Sequence, residues 1–302
     1  MQNSGLPNAA DGFISFANNA MYRIPMSVMV TYRGATEADD SEPHREIGAR
    51  TDVLCETIFG PDASIFGRRD GNDLIRSVNR SIAAACSGSI GVVKVAGSGF
   101  ERTSIIDSFT LPVRICGSAS RINASKRKFE ASGVVSREDA ILGIINAHPG
   151  AAFVFCNGYT SRCARALADD AANFYNIGYM GGSLAIGWGL ATARPDREIV
   201  VVDGDQNALM SCMKDHMATG APGNLHWYVL NNGIGASVGT ARSIELGAPI
   251  ENSANVIRTI ADKPGSFVYP RVRIGGANVE PEIGNAESLV AFSRRFRRFF
   301  ES

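Results

Sequence analysis

The strongest constraint on the fold is a repeated alternation of short, apolar, β-rich runs with stretches of helical pattern. The runs are bounded by Gly, Pro, Asn or Asp and occupy residues 27–32, 90–95, 152–155, 198–202 and 226–230. The helical stretches occupy residues 73–85, 137–147, 161–172, 182–193 and 207–219. Near-continuous apolar runs are typical of parallel strands that are covered on both faces. The alternation therefore predicts an α/β protein with doubly wound parallel sheets.

Two domains are predicted, because a single ordinary core rarely extends over a chain of 302 residues. Residues 101–135 mix Ser, Lys and Arg with weak periodicity and are interpreted as a linker. Ser136 stands three residues before Asp139, in the pattern of a capping box that opens a helix. We therefore predict one domain over residues 1–100 and a second over residues 136–302.

Charge and composition argue against nucleic acid and membrane partners. Lys+Arg and Asp+Glu number 30 each, so no global basic field attracts an anionic polymer or bilayer. No apolar run approaches the length that spans a bilayer. The six cysteines lack any zinc-type spacing, which indicates reduced thiols and a cytoplasmic protein. The final AFSRRFRRFF (291–300) is interpreted as an amphipathic helix that packs its Phe face inward.

Two polar turns, each directly after a β-rich run, carry the clearest chemical signal. Asp203-Gly204-Asp205 follows residues 198–202, and Asn231-Asn232-Gly233 follows residues 226–230. Parallel strands end at one edge of a sheet, where ligands bind, so Asp205 and Asn232 are expected to be neighbours. A carboxylate, an amide oxygen and a turn carbonyl suit Mg²⁺, and phosphate oxygens would complete its octahedron. The pattern predicts a diphosphate–metal site; the alternative is two ordinary polar turns after buried strands.

The order of four segments resembles the pyrophosphate-binding domain of the thiamine diphosphate (ThDP)-dependent phosphonopyruvate and sulfopyruvate decarboxylases. These segments are GYTSR (158–162), NIGYMGGSLAIGWGLA (176–191), the DGD turn and LNNGIGASVG (230–239). Earlier segments are similar to the later part of the same family's pyrimidine-binding domain: MQNSGLPN (1–8), IPM (24–26), YRG (32–34), EPH (42–44) and VVKVAGSGFE (92–101). The resemblance covers most of the chain.

The resemblance implies a set of cofactor residues. Asp205 and Asn232 would hold Mg²⁺ through their side chains and Ile234 through its carbonyl. Met180 would keep the two rings of ThDP in a V, and Gly178 would accept a hydrogen bond from the aminopyrimidine. Thr160 and Ser161, in the loop after residues 152–155, would contact the diphosphate, as would Gly204, Gln206 and Asn207 at the DGD turn. The alternatives are a core methionine, a flexible turn glycine and ordinary helix caps.

The activity implied is non-oxidative decarboxylation of a small-molecule 2-oxo acid, with 3-phosphonopyruvate giving phosphonoacetaldehyde and carbon dioxide. Arg162 is the first candidate to bind the phosphonate, because guanidinium groups match such oxyanions. Arg33, His44 and Arg45 are candidates from the first domain, and His44 is also a candidate proton donor. For each of these side chains, a solvated surface position is the alternative.

Some features depart from the family pattern. The glutamate that activates the pyrimidine precedes the segment matching MQNSGLPN, so we expect a partner subunit that supplies it, a truncated reading of a longer gene, or a non-catalytic protein. A homo-oligomer or hetero-oligomer follows from the first option. Gln206 is expected to crowd a turn that glycine makes freely, while Tyr179 and Gly182 replace a serine and a histidine. A sulfopyruvate decarboxylase, another 2-oxo acid decarboxylase or carboligase, and a non-catalytic ThDP-fold subunit stay open as alternatives.

Overall fold

The computed structural model describes residues 1–17, 21–34, 42–67, 71–96, 129–235, 242–260, 272–274, 277–279 and 286–302. The chain divides into two compact units, Met1–Val113 and Arg114–Ser302. The predicted linker spans this division, and residues 101–128 of it lie outside the described residues. Within the described part, every helix falls short of the length and apolarity that a membrane crossing requires.

The first unit contains a parallel sheet with strand order β1-β3-β2 in its described residues. Its strands are β1 (Met26–Tyr32), β2 (Ser64–Gly67) and β3 (Ile90–Ala96). Its helices are α1 (Leu6–Asp11), α2 (Glu42–Phe59) and α3 (Gly71–Cys86), with single turns of 3-10 and π helix at Asn3–Gly5 and Gly12–Ala17. Apolar side chains of β1, β3, α1 and α2 form its core.

The second unit contains a five-stranded parallel sheet with the order β5-β4-β6-β7-β8. Its strands are β4 (Ala152–Phe155), β5 (Asn173–Tyr175), β6 (Ile199–Gly204), β7 (Leu225–Asn231) and β8 (Asn255–Arg258), and β9 (Val272–Ile274) pairs separately with β10 (Ala277–Val279). Its helices are α4 (Arg137–Ala147), α5 (Tyr159–Ala168), α6 (Ser183–Ala193), α7 (Asp205–Met210), α8 (Met217–Gly220), α9 (Ala248–Glu251) and α10 (Ala286–Glu301).

The strand order explains why this sheet is doubly wound, as the sequence predicts. The chain moves from β4 outward to β5 and then returns past β4 to β6. Because crossovers between parallel strands are right-handed, this reversal places successive crossovers on opposite faces. A crevice is expected where the order reverses, at the carboxyl ends of β4 and β6.

The core of the second unit follows from the apolar runs. All four residues of β4 are buried, and β6 and β7 are buried along most of their lengths. The predicted capping box forms, since Ser136 Oγ accepts a hydrogen bond from Asp139 N at 3.0 Å. The predicted C-terminal helix also forms as α10 and buries Phe292 and Phe296.

Two helix predictions were wrong in extent. The stretch 161–172 ends at Ala168, because Asp169 takes an extended backbone and its carboxylate pairs with Arg295 and Tyr175. The stretch 207–219 breaks at Ser211, which is buried and extended, and whose hydroxyl accepts a hydrogen bond from Met213 N. In both places a tertiary position of one residue overrides its local helical pattern.

Candidate functional site

A crevice of about 120 Å³ opens at the carboxyl edge of the second sheet. It lies at the ends of β4, β6 and β7, which is where the strand order reverses. Its described lining residues are Arg137, Cys156, Asn157, Gly158, Tyr159, Thr160, Met180, Gly204, Asp205, Gln206, Asn207, Met210, Leu230, Asn232, Ile234, Gly235 and Thr259.

Asp205 and Asn232 line this crevice together, from neighbouring strand ends. In the β6–β7 register Gly204 lies opposite Leu230, so Asp205 and the Asn231-Asn232 turn follow side by side. Asn232 Oδ1 accepts a hydrogen bond from Ile234 N at 3.1 Å, which fixes the turn. The two strand ends therefore have the arrangement that the sequence predicted.

The two oxygens of the Asp205 carboxylate have different surroundings. Its Oδ1 accepts a hydrogen bond from Gln206 N at 2.8 Å. Its Oδ2 is buried and has no hydrogen-bond partner among the described residues. A buried carboxylate oxygen without a donor is costly, and a bound cation removes that cost. The donor set of carboxylate, amide and turn carbonyl fits a hard divalent cation.

Asp203 serves a different purpose from Asp205, since it is fully buried beneath the crevice. Trp227 Nε1 donates to its Oδ2 at 2.9 Å, and Asn207 Nδ2 donates to its Oδ1. Burial raises the pKa of this carboxyl to about 6, against the opposing hydrogen bonds from Trp227, Asn207 and Ser183. The same Asn207 accepts from Gly181 N at 2.7 Å, so Asp203 indirectly fixes the loop that carries Met180.

The β4 end of the crevice is built around Gly158 and Cys156. Gly158 has φ +78° and ψ −140°, a conformation that glycine alone adopts readily. The Cys156 thiol is buried, and burial raises its pKa to about 12, so it stays neutral. Its sulfur accepts a hydrogen bond from Gly204 N at 3.2 Å and joins the ends of β4 and β6.

Met180 and Gln206 both reach the crevice. Met180 is 52% exposed although its side chain is apolar. Met210, which also lines the crevice, is exposed to the same extent. Gln206 lies in the first turn of α7, and its φ is not positive, so its backbone does not need glycine. The crowded turn that the sequence led us to expect at residue 206 therefore does not occur. Its amide instead lies over Gly235, where an added Cβ would stand 2.4 Å from Gln206 Nε2.

Tyr179 and Gly182, which depart from the family pattern, are physically linked. A Cβ added at Gly182 would stand 2.1 Å from Cδ1 of the Tyr179 ring. The ring therefore fills the space into which a side chain at residue 182 would extend. Glycine at residue 182 and the larger aromatic side chain at residue 179 are therefore one linked change in the shape of this loop.

Three sequence-predicted residues of the second unit, Ser161, Gly178 and Arg162, are not among the described residues that line the crevice. Ser161 is buried, and its hydroxyl donates to the Phe155 and Cys156 carbonyls at 3.0 and 2.6 Å, so it caps β4. Gly178 has φ +109° in the loop before Met180, and Arg162 is half-buried on α5. His44 belongs to α2 of the first unit.

Sequence reasoning missed Arg137 and Tyr159. Arg137 begins α4, is 8% exposed and places its guanidinium 5.4 Å from the Tyr159 ring. Both side chains line the crevice, and the Arg137 guanidinium brings a positive charge to it. The sequence feature that could have identified Arg137 is a basic residue at the first position of a helix, where acidic residues are favoured.

Comparison with known proteins gives the same class of site. The family model for the thiamine pyrophosphate enzyme C-terminal TPP binding domain matches residues 157–262. A phosphonopyruvate decarboxylase of Streptomyces hygroscopicus is 30% identical over 256 residues, which cover 80% of this chain and 59% of that protein. A second, from Streptomyces viridochromogenes, is 30% identical with the same coverage. The beta subunit of sulfopyruvate decarboxylase from Methanothermobacter thermautotrophicus is 39% identical over 155 residues, which cover 45% of this chain and 82% of that subunit.

The structure is thus an α/β protein with a crevice at the carboxyl edge of a doubly wound sheet. The chain belongs to the thiamine pyrophosphate enzyme family, in the group that contains the phosphonopyruvate and sulfopyruvate decarboxylases. It spans about 59% of the length of the phosphonopyruvate decarboxylases that it matches.

Proposed function

We propose that this chain binds ThDP and Mg²⁺ and takes part in the non-oxidative decarboxylation of 3-phosphonopyruvate to phosphonoacetaldehyde and carbon dioxide. The observation that carries the proposal is the buried Asp205 Oδ2, which lacks a hydrogen-bond partner within the described part of the chain, in a crevice that Asn232 and Ile234 also line. This crevice lies within the segment matched by the TPP binding domain.

In this proposal Asp205, Asn232 and the Ile234 carbonyl hold Mg²⁺, and the first turn of α7 faces the diphosphate. Helix N-termini attract anions through their free N–H groups and their dipole, which assigns Gly204, Gln206 and Asn207 to the diphosphate. Thr160 contacts it from the loop after β4. Ser161 acts on the same loop indirectly, by capping the strand carbonyls.

ThDP supplies an electron sink for the bond to the departing carboxylate when it is bound. The protein's own task is to orient the cofactor and to exclude water. Met180 suits the first role, because it presents an exposed apolar side chain to the crevice. The Gly178 carbonyl is assigned to the aminopyrimidine, in a loop fixed through Gly181 and Asn207.

The oxyanion of substrate or cofactor is assigned first to Arg137. Its guanidinium lines the crevice, whereas Arg162 does not. Arginine binds phosphonate and phosphate oxygens with paired, charge-assisted hydrogen bonds. Arg162 and His44 stay predictions as substrate-binding and proton-donating residues, with His44 contributed by the first unit.

An assembly of chains is part of the proposal, because one of the similar proteins is named as a subunit. The beta subunit of sulfopyruvate decarboxylase is, by its name, one part of an assembly. We therefore assign to this chain a homo-oligomer or a hetero-oligomer.

A second substrate, sulfopyruvate, is favoured by the 39% identity to that beta subunit. Phosphonopyruvate and sulfopyruvate both carry an anionic head group, so charge alone does not distinguish them. The choice of substrate is therefore tested by measuring turnover of each acid. The protein, supplied with ThDP and Mg²⁺, is assayed for aldehyde formation from each acid. We expect faster turnover of phosphonopyruvate and at least about a tenfold loss in kcat/KM for Arg137→Gln, since a charged hydrogen bond contributes about 1.5–3 kcal/mol. Faster turnover of sulfopyruvate would reassign the substrate, and turnover of neither acid would contradict the proposal.

A further inference from the structure

A second cluster of ligand-type side chains lies at the opposite, amino edge of the five-stranded sheet. His148 follows α4 and precedes β4, Glu198 directly precedes β6, and His226 is the second residue of β7. The cluster therefore joins the starts of three neighbouring strands. It is separate from the crevice, which lies at the ends of the same strands.

The three side chains converge on one point. His148 Nδ1 lies 3.1 Å from Glu198 Oε1, and His226 Nε2 lies 2.9 Å from the same oxygen. All three atoms lie within 4.8 Å of one another. Both histidine nitrogens are buried, and neither has a hydrogen-bond partner of good geometry among the described residues. Converging buried nitrogens without such partners are suited to coordinate an ion.

We propose that His148 Nδ1, Glu198 Oε1 and His226 Nε2 form a binding site for a divalent transition-metal ion, with Zn²⁺ as its occupant. Imidazole and carboxylate donors are the ones zinc uses, at about 2.0–2.2 Å, so tetrahedral ligand atoms lie about 3.4 Å apart. The observed separations of 2.9 and 3.1 Å reach that value through small side-chain rotations.

The surroundings of His148 support this assignment. Its side chain is fully buried, and its other nitrogen, Nε2, lies 2.8 Å from Tyr228 Oη. Ligand histidines commonly use their second nitrogen in such a hydrogen bond, which fixes the ring and its tautomer. Glu198 and His226 keep 18% and 11% of their side chains exposed, which leaves a path for water to take the fourth position.

Metal binding here would stabilise the fold rather than perform chemistry. The ion would tie the turn before β4 to the turn before β6 and to the start of β7. An ion that binds only the folded state raises the melting temperature as its concentration rises above its Kd. Since the site uses nitrogen ligands, it selects zinc over Mg²⁺, whereas the Asp205 crevice has the oxygen donors that Mg²⁺ prefers.

The test is titration of the protein with Zn²⁺ by calorimetry and with Co²⁺ by visible absorption. We expect one ion per chain at this site, with tetrahedral Co²⁺ bands and no thiolate charge-transfer band. Affinity should fall by about 100-fold or more in His226→Gln and Glu198→Gln, and by about tenfold or more in Tyr228→Phe. His216→Gln, at an exposed histidine, and Asp205→Asn, in the crevice, should leave this affinity unchanged.

His226→Gln is the decisive variant, because its side chain is partly exposed and the metal-free fold can be checked by its melting temperature. Zinc affinity unchanged in folded His226→Gln and Glu198→Gln overturns the proposal. So does Co²⁺ binding with thiolate charge transfer, which would point to the exposed Cys86 or Cys212. Neither result depends on whether ThDP binds in the crevice.

Discussion

At the scale of single residues, two aspartates at the carboxyl end of β6 have different surroundings. Asp203 is fully buried and accepts hydrogen bonds from Trp227 and Asn207, whereas Asp205 turns toward the crevice. The sequence predicted Asp205 as the metal ligand, but the DGD pattern did not show that Asp203 is fully buried. The side-chain environment, set by Trp227 one strand away, decides between them.

The buried Asp203 predicts a pH dependence of stability. Its folded-state pKa of about 6 lies above the ordinary 3.8, so the folded state binds this proton more tightly. The contribution of this carboxyl to the free energy of unfolding is fully present below about pH 4. It is lost as the pH rises through about 6, and the total loss is about 3 kcal/mol. Asp203→Asn should therefore gain stability relative to the wild type by up to that amount between pH 4 and 8. Urea unfolding at both pH values, without cofactor, measures it; a pH-independent difference would contradict the assignment.

Tyr179 and Gly182 predict a coupled pair of substitutions. Gly182→Ala should destabilise the protein by about 1–3 kcal/mol, because its Cβ would overlap the Tyr179 ring. Tyr179→Ser removes the ring, so Gly182→Ala should cost much less in that background. Urea unfolding of both single variants and the double variant gives the coupling energy. Additive effects would show that the ring moves aside without cost.

At the scale of elements, the C-terminal helix α10 is a clear success of sequence reasoning. Its Phe residues recur on one face, and Phe292 and Phe296 pack against Tyr175 and Phe174 of β5. Arg295 adds a paired contact to Asp169, with distances of 2.6 and 2.9 Å. The helix thus covers the edge strand β5 of the sheet, which otherwise exposes unpaired backbone groups.

Truncation of the buried face should weaken this docking. Phe296 is 4% exposed, and Phe296→Ala should cost about 3 kcal/mol through lost burial and a cavity. Arg294→Ala, on the exposed face of the same helix, should change stability by no more than about 0.5 kcal/mol. Thermal or urea unfolding of the pair measures the difference. Equal effects would mean that α10 contributes little to the core.

The strands show where sequence reasoning ends. β4, β6 and β7 were predicted because fully buried parallel strands are continuous apolar runs. The short strands β2, β5 and β8 were missed, because three or four residues are too few to show a periodic pattern. Asn173 in β5 and Asn255 in β8 also interrupt the apolar character of those strands. Their strand geometry comes from pairing with longer neighbours, which a local pattern does not contain.

At the scale of the whole molecule, the sheet order positions the candidate site. The reversal between β4 and β6 brings Gly158, Asp205 and Asn232 to one crevice from loops that are distant in the chain. Asp205 and Asn232 were predictable, because both directly follow strands that end at one edge. Arg137 and Tyr159 were not, because their approach depends on how α4 and α5 pack over that edge.

The central claim is that the crevice holds the diphosphate of ThDP through a divalent cation bound by Asp205. Calorimetric titration of the protein measures its ThDP affinity with Mg²⁺ and with a chelator. We expect ThDP binding to require Mg²⁺ and the ThDP affinity to fall by at least about 10–100-fold in Asp205→Asn. The exposed control Asp215→Asn should leave this affinity unchanged. Mg²⁺-independent binding, or equal affinity in Asp205→Asn and the wild type, would contradict it.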